Sequence, residues 1–388
     1  IERRSECTVS SKYALVIHPC HCGYFSNSSL KFHGRWNKRC SRPLSGGINM
    51  VTEKKNKNET LPLLEVRNLH TYFYTADGVV KAVDGVDLDV FPKKTLGIVG
   101  ESGCGKSITT KSILRLIDRP GKILDGTMNL YDKNHENSQD ITKLNNQELK
   151  QVRGGRISMI FQEPMTSFSP IHTVGNQITE AIKLHLKYEK NEAMELAEDW
   201  LIRVGMSNPK QRLKQYAFEL SGGQRQRAMI AMALCTNPDI LIADEPTTAL
   251  DVTTQAQTLD LLNDLQEKNG MSIIMITHDL GVIAELADEV NVMYLGKVVE
   301  SGTIHQVFKD PKHPYTQALL SSIPSLATGH RERLPILPGT IPHPQARPQG
   351  CPFNPRCKDF IDGTCNVEFP KQEQIEDGHL VNCHLYNK

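Results

Sequence analysis

Eight consecutive residues, Gly100, Glu101, Ser102, Gly103, Cys104, Gly105, Lys106 and Ser107, fit the pattern GxxxxGKS and follow directly on the apolar run Leu96, Gly97, Ile98 and Val99. Glycines so spaced let backbone N–H groups turn inward around an anion, and a helix beginning at the loop adds the positive end of its dipole. In such a cradle the Lys106 ammonium meets β- and γ-phosphates and the Ser107 hydroxyl ligates Mg²⁺. A second anion site is expected where Leu220, Ser221, Gly222, Gly223 and Gln224 open a helix, with Ser221 as a natural N-cap. Acidic chemistry follows the apolar run Ile240, Leu241, Ile242 and Ala243. There Asp244 suits a Mg²⁺ shell, and Glu245 can polarise a water for in-line attack on a γ-phosphate. Gln162, at the end of the strand-like run 157–161, can reach both the metal and that water.

These groups need a scaffold that brings strand ends together. The run before the loop reads as a short buried strand and residues 107–114 as the helix after it, the context a phosphate loop requires. Ahead of it, residues 63–66, Tyr72, Phe73 and Tyr74, and residues 82–90 read as antiparallel strands, the last alternating apolar with polar side chains. An aromatic here can stack on a nucleotide base, and Phe73 is the first choice, with Tyr72 or Tyr74 as alternatives. Residues 126–130 read as another strand, followed by a polar stretch rich in Asn and Asp. From Glu163 to Tyr216 the pattern is helical, with no strand signal, and reads as a helical subdomain (about 163–226) inserted into an α/β core.

Of 388 residues, 45 are Lys or Arg and 44 Asp or Glu, a net charge of +1 that gives no reason to expect nucleic acid as a partner. The hydrophobic share of 39% is that of an ordinary chain able to bury a core. The longest apolar runs, such as residues 272–277, fall far short of the roughly 20 residues a membrane helix needs. Residues 1–49 are polar, hold Cys7, Cys20, Cys22 and Cys40 and lack periodicity; with the charged lead-in after Met50 they make residues 1–60 an extension, disordered or translated from upstream sequence, rather than a domain.

In their order along the chain, GESGCGKS, LSGGQ, ILIADEP, the turn Ala249, Leu250, Asp251, and His278 behind residues 273–277 resemble the motifs of the ATP-binding cassette (ABC) ATPases, over residues 61 to about 310. The resemblance implies a P-loop NTPase core with a parallel sheet, an antiparallel β-subdomain and the helical insertion. It implies a head-to-tail dimer in which the phosphate loop of one subunit and residues Ser221 to Gln224 of the other enclose each ATP. It further implies Glu245 as catalytic base, His278 as γ-phosphate contact, Asp251 as the residue communicating across the dimer, and Gln162 as a lever toward a membrane partner.

Phe161, Gln162, Glu163, Pro164, Met165, Thr166 and Ser167, the run from Asp244 to Thr253, and the tail from His313 to Leu320 with its prolines at 334–348 are similar to the ATPases of dipeptide and oligopeptide importers. That implies peptide import from the cytoplasmic face of the membrane, with a second identical or different ATPase, two membrane-spanning permease subunits and, indirectly, an extracytoplasmic peptide-binding protein. A nickel or other small-solute importer is the alternative within transporters, and a soluble cassette protein the alternative outside them. One departure is Phe168, Ser169 and Pro170, where those ATPases have Leu-Asn-Pro, near the surface expected to meet the membrane subunits.

Residues 311–388 form a small C-terminal extension carrying Cys351, Cys357, Cys365 and Cys383, separated by five, seven and seventeen residues. Four thiols in a reducing compartment favour a metal or cluster over disulfides. Zinc fits four thiolates; the resemblance to peptide-importer ATPases, together with the irregular intervals, favours a four-iron four-sulfur (4Fe-4S) cluster. Cys104 and Cys235 read as small packing residues.

Overall fold

The computed structural model describes residues 61–248, 250–322, 337 and 339–387. The expected extension at residues 1–60, with its four cysteines, lies outside the described residues. Among the described residues twelve strands form: β1 (Leu64–Thr75), β2 (Gly78–Val90), β3 (Thr95–Val99), β4 (Gly121–Tyr131), β5 (Ser138–Asp140), β6 (Ile157–Ile160), β7 (Ile240–Asp244), β8 (Ser272–Ile276), β9 (Glu289–Tyr294), β10 (Lys297–Thr303), β11 (Gln372–Glu376) and β12 (His379–Asn382).

The uninterrupted apolar runs of β3, β6, β7 and β8 are buried along their whole length, as parallel strands covered on both faces must be. They sit in an eight-stranded sheet of order β11-β12-β10-β9-β3-β8-β7-β6. Pairing is parallel from β9 through β3, β8 and β7 to β6. The alternating strands β1 and β2 form, with β4 and β5, an antiparallel sheet of order β2-β1-β4-β5. Its inward side chains Val66, Val83, Val86 and Leu130 share one apolar core with Ile98, Ile242 and Ile274 of the large sheet. A second core joins Val99, Leu241 and Met275 to the helical segment, where helices Val174–Leu186, Lys190–Arg203 and Gly222–Leu234 enclose the fully buried Trp200.

This topology brings the chemistry to one edge. The phosphate loop follows β3, Asp244 ends β7, Gln162 follows β6 and His278 follows β8, so all four lie beyond the carboxyl ends of parallel strands, where open α/β sheets bind ligands. The Asn- and Asp-rich stretch, read as merely polar, holds β5 and the helix Asn146–Val152, which Asn145 and Glu148 start with a reciprocal capping box. Phe168 is also not the surface feature expected of it: it is 5% exposed, within the second core, and Ser169 is pinned by both amide atoms of Gln177. Among the described residues no helix is long and apolar enough to cross a membrane.

The C-terminal segment has few apolar residues and borrows a core. β12 pairs antiparallel with β10, extending the large sheet, and Cys351 and Phe353 join the second core. Glu300 of β10, 1% exposed, ties this together by accepting the Lys312 N–H at 2.7 Å, the His313 N–H at 2.9 Å and a hydrogen bond with His379 Nε2 at 2.8 Å. Truncating it strands two backbone donors and a buried imidazole. Glu300→Ala is therefore expected to cost about 3–5 kcal/mol in urea unfolding, whereas a loss under about 1 kcal/mol would deny Glu300 this role.

Candidate functional site

The phosphate loop owes its shape to two glycines that no other residue could replace. Gly100 has φ 151° and Gly105 φ 102°, and a Cβ at either would lie 2.2 Å from a carbonyl oxygen, of Met293 and Ala82 respectively. The helix Lys106–Ile113 starts at once, so its first N–H groups face the loop. Lys106 is 6% exposed, and its ammonium donates to the carbonyls of Gly100 at 2.8 Å and Glu101 at 3.1 Å. Phosphate oxygens entering the loop compete with these two carbonyls for the same cation. Cys104 and Cys235 are buried, as packing residues should be.

A cavity of about 280 Å³ opens over the loop, bounded by Ser102 to Ser107 along one side and by Gln162 and Glu245 at one end. The Ser107 hydroxyl donates to Asp244 at 2.9 Å, so the two oxygen ligands expected for Mg²⁺ already touch. Burial pushes the Asp244 carboxyl above the usual carboxylate range, the Ser107 hydroxyl only partly opposing it. Glu245 goes the other way. Burial would raise it, but the Thr248 hydroxyl at 2.8 Å and His278 at 3.4 Å outweigh that and hold it below the ordinary value. Its other contact is the Gln162 amide, 2.9 Å away. Glu245 also sits at φ 46°, a left-handed conformation that costs a non-glycine residue energy and turns its carboxylate into the cavity mouth. Two adjacent carboxyls thus have opposite environments: burial disfavours the charged form of Asp244, while its hydrogen-bond partners favour the charged form of Glu245.

Ser221, Gly222, Gly223 and Gln224 do not line this cavity. Ser221 caps the helix Gly222–Leu234 with a capping box, its hydroxyl accepting the Gln224 N–H and its own N–H meeting Gln224 Oε1 at 3.1 Å. Ser221 and Gly222 are exposed, and a Cβ at Gly222 would meet nothing within 4 Å in this chain. Asp251, likewise exposed, caps the helix Val252–Asn269 by accepting from the Thr254 N–H and hydroxyl. Phe73 does not line the cavity either; it is half-buried beside Ile117 and Gly121. Val80, Lys81, Ala82, Leu295 and Gly296, with Pro344 and Arg347 from the C-terminal segment, make the remaining wall.

The sequence reading missed how the C-terminal segment grips the loop. Arg356 forms a two-pronged ion pair with Glu101, Nη1 to Oε2 at 2.7 Å and Nη2 to Oε1 at 3.1 Å, across 255 residues of sequence. The Glu101 N–H donates to the Tyr315 hydroxyl at 2.9 Å, and Tyr315 packs among Tyr294 and Phe353. Nothing in the spacing of these residues signals the contact. The Arg356 side chain is only 4% exposed, so the pair is stronger than a surface bridge. Arg356→Ala is expected to cost about 3 kcal/mol, and a double-mutant cycle with Glu101→Ala to give a coupling of about 1–3 kcal/mol; a coupling near zero would leave the two segments independent.

Cys351, Cys365 and Cys383 are buried and Cys357 is half-buried, all four as free thiols. Burial pushes Cys351 and Cys383 up to about 12 and about 11, and raises Cys357. The thiols are near enough to feel one another's charge, and the Cys351 N–H donates to the Cys365 carbonyl at 2.8 Å. Among the described residues no group of three His, Cys, Asp or Glu side chains is arranged to hold a metal ion.

Comparison with known proteins matches residues 83–248 to the family described as ABC transporter, and residues 299–365 to the oligopeptide/dipeptide transporter C-terminal region. The oligopeptide transport ATP-binding protein AppD of Bacillus subtilis is 48% identical over 327 residues, covering 84% of this chain and 97% of that protein. The dipeptide transport ATP-binding protein DppD of Escherichia coli is 45% identical over 324 residues, covering 84% and 97%. Among solved structures, a dimeric ATP-binding cassette in a post-hydrolysis state with ADP and Pi superposes with a TM-score of 0.54 at 26% identity, covering 62% of this chain and 98% of that one.

Proposed function

Given that the chain belongs to the ABC transporter ATPase family, we propose that it is the ATP-hydrolysing subunit of a peptide importer, peripheral on the cytoplasmic face of the membrane. The observation that carries the substrate class is the match of both the cassette and the C-terminal region to peptide-transport ATPases across 84% of the chain. It would work with a second cassette, identical or different, and two membrane-spanning permease subunits, served by an extracytoplasmic peptide-binding protein. A nickel or other small-solute importer shares this cassette plan.

In this reading the backbone of residues 100–107 and Lys106 hold the β- and γ-phosphates, and Ser107, Asp244 and Gln162 hold Mg²⁺, which when bound neutralises charge developing on the phosphates. Glu245 takes a proton from the attacking water; of the two residues within hydrogen-bond reach of its carboxylate, Gln162 orients that water and His278 meets the γ-phosphate. Ser221, Gly222, Gly223 and Gln224 of one cassette close over ATP held by the other, with Asp251 at the seam. The four C-terminal cysteines provide a donor set for a 4Fe-4S cluster, with zinc the alternative; either would require the four thiols to close up and lose their protons.

Purification from solubilised membranes tests the assembly. Two membrane proteins and a second cassette should accompany the chain, and their stimulation of ATP turnover should respond to peptide-loaded binding protein. A chain recovered with ribosomes or nucleic acid and no membrane protein would overturn the transporter reading.

A further inference from the structure

The cavity over the phosphate loop has a second wall, built by the C-terminal segment, that the nucleotide-binding motifs do not account for. The turn Pro344–Ala346 crosses the strands ahead of the loop, fastened by Gln345 Nε2 donating to the Thr75 hydroxyl at 3.2 Å. Next to it Arg347 Nη1 donates to Asp84 Oδ2 at 2.9 Å, and the Arg347 side chain is 14% exposed. Asp84 is itself held, by the Tyr72 hydroxyl at 2.5 Å and by Lys297 at 3.2 Å, so the carboxylate that anchors the guanidinium cannot swing away. Pro344 and Arg347 both face the cavity shared with Lys106, Ser107 and Glu245.

The phosphate end of that cavity is occupied by backbone N–H groups and Lys106. What remains, between Val80, Lys81, Ala82 and Ile108 on one side and Pro344 and Arg347 on the other, is apolar apart from two cations: Lys81, exposed on a flexible stem, and the planar Arg347 guanidinium, fixed by Asp84. A guanidinium held at its edge presents a flat face and further N–H donors, which suit an aromatic base and a sugar hydroxyl. Phe73, the residue expected to take the base, does not line this cavity.

We propose that Pro344 and Arg347 of the C-terminal segment form the wall that contacts the purine and ribose of the bound nucleotide, with Asp84 as the residue positioning Arg347. The segment is then part of the nucleotide site as well as an addition to the sheet. This rests on the nucleotide reading of the cavity given above.

The test compares binding of Mg-ATP with binding of Mg-tripolyphosphate, which lacks base and sugar, to the full chain. Arg347→Ala should weaken Mg-ATP roughly tenfold and leave tripolyphosphate unchanged. Arg347→Lys, which keeps the charge but not the plane, should recover only part of the loss, and Asp84→Asn, which keeps the guanidinium but frees it, should fall between Arg347→Ala and wild type. Unchanged ATP affinity in Arg347→Ala would overturn the proposal, and so would an equal loss for both ligands, which would mean a damaged phosphate loop. A wild-type chain binding neither ligand would bring down the nucleotide reading itself, and this proposal with it.

Discussion

Replacing Glu245 with Gln is expected to leave Mg-ATP binding close to wild type and to slow hydrolysis by about 10²–10⁴-fold, the usual contribution of a general base. The cradle for the phosphates is built from residues 100–107 and does not depend on Glu245, so affinity should persist. The carboxylate, by contrast, is fixed by Thr248, Gln162 and His278 and held ionised below the ordinary range, which is the state a base needs. Gln keeps the shape and an oxygen that can accept from Thr248 and Gln162, and puts an amide nitrogen, which cannot take a proton, in place of the oxygen facing His278. Lys106→Ala should behave in the opposite sense, weakening binding itself, since that ammonium is the buried cation of the cradle. Equilibrium nucleotide binding and single-turnover hydrolysis measured on both variants separate these effects. A Glu245→Gln enzyme turning over at the wild-type rate would remove the residue from the chemistry.

Ser221→Arg is expected to abolish hydrolysis at the site formed with the neighbouring cassette while the altered chain's own phosphate loop still binds ATP. Ser221 and its helix N-terminus are exposed, and they lie outside the cavity formed by Lys106 and Glu245 in the same chain. A glycine at 222 is unexplained by any neighbour in this chain, since a side chain there would meet open space. Close approach by something from outside gives it a reason, and the similar cassette solved as a dimer with ADP and Pi offers the setting. Mixed complexes pairing a wild-type chain with a Ser221→Arg chain should lose the site whose phosphate loop belongs to the wild-type chain. A defect confined to the mutated chain's own loop would rule out the shared site.

The parts of this molecule that sequence made legible are those governed by local rules. The loop from Gly100 to Ser107 could be read because backbone conformation demands glycine there, and Ser221 because a helix start demands a cap. The buried strands β3, β7 and β8 appear as unbroken apolar runs because both faces are covered. What escaped reading depends on contacts between residues far apart in sequence. Arg356 on Glu101 and Arg347 on Asp84 span more than 250 residues each, and neither arginine belongs to a periodic pattern. An aromatic ahead of the loop, such as Phe73, suits a base by its type alone, but its strand places it beside Ile117 and Gly121, outside the cavity. The four cysteines show the limit most clearly: spacing identifies a donor set, while ligand geometry depends on how the segment folds against β10.

The most direct test of the central claim is peptide uptake into proteoliposomes holding this chain, its companion cassette and the two permease subunits, with ATP inside the compartment the cassettes face and peptide-loaded binding protein outside. The account predicts accumulation of labelled peptide that requires ATP, stops with Glu245→Gln in this chain and is not competed by nickel. Uptake that continues unchanged with the Glu245→Gln chain, or ATP hydrolysis that drives nickel and no peptide, would contradict it.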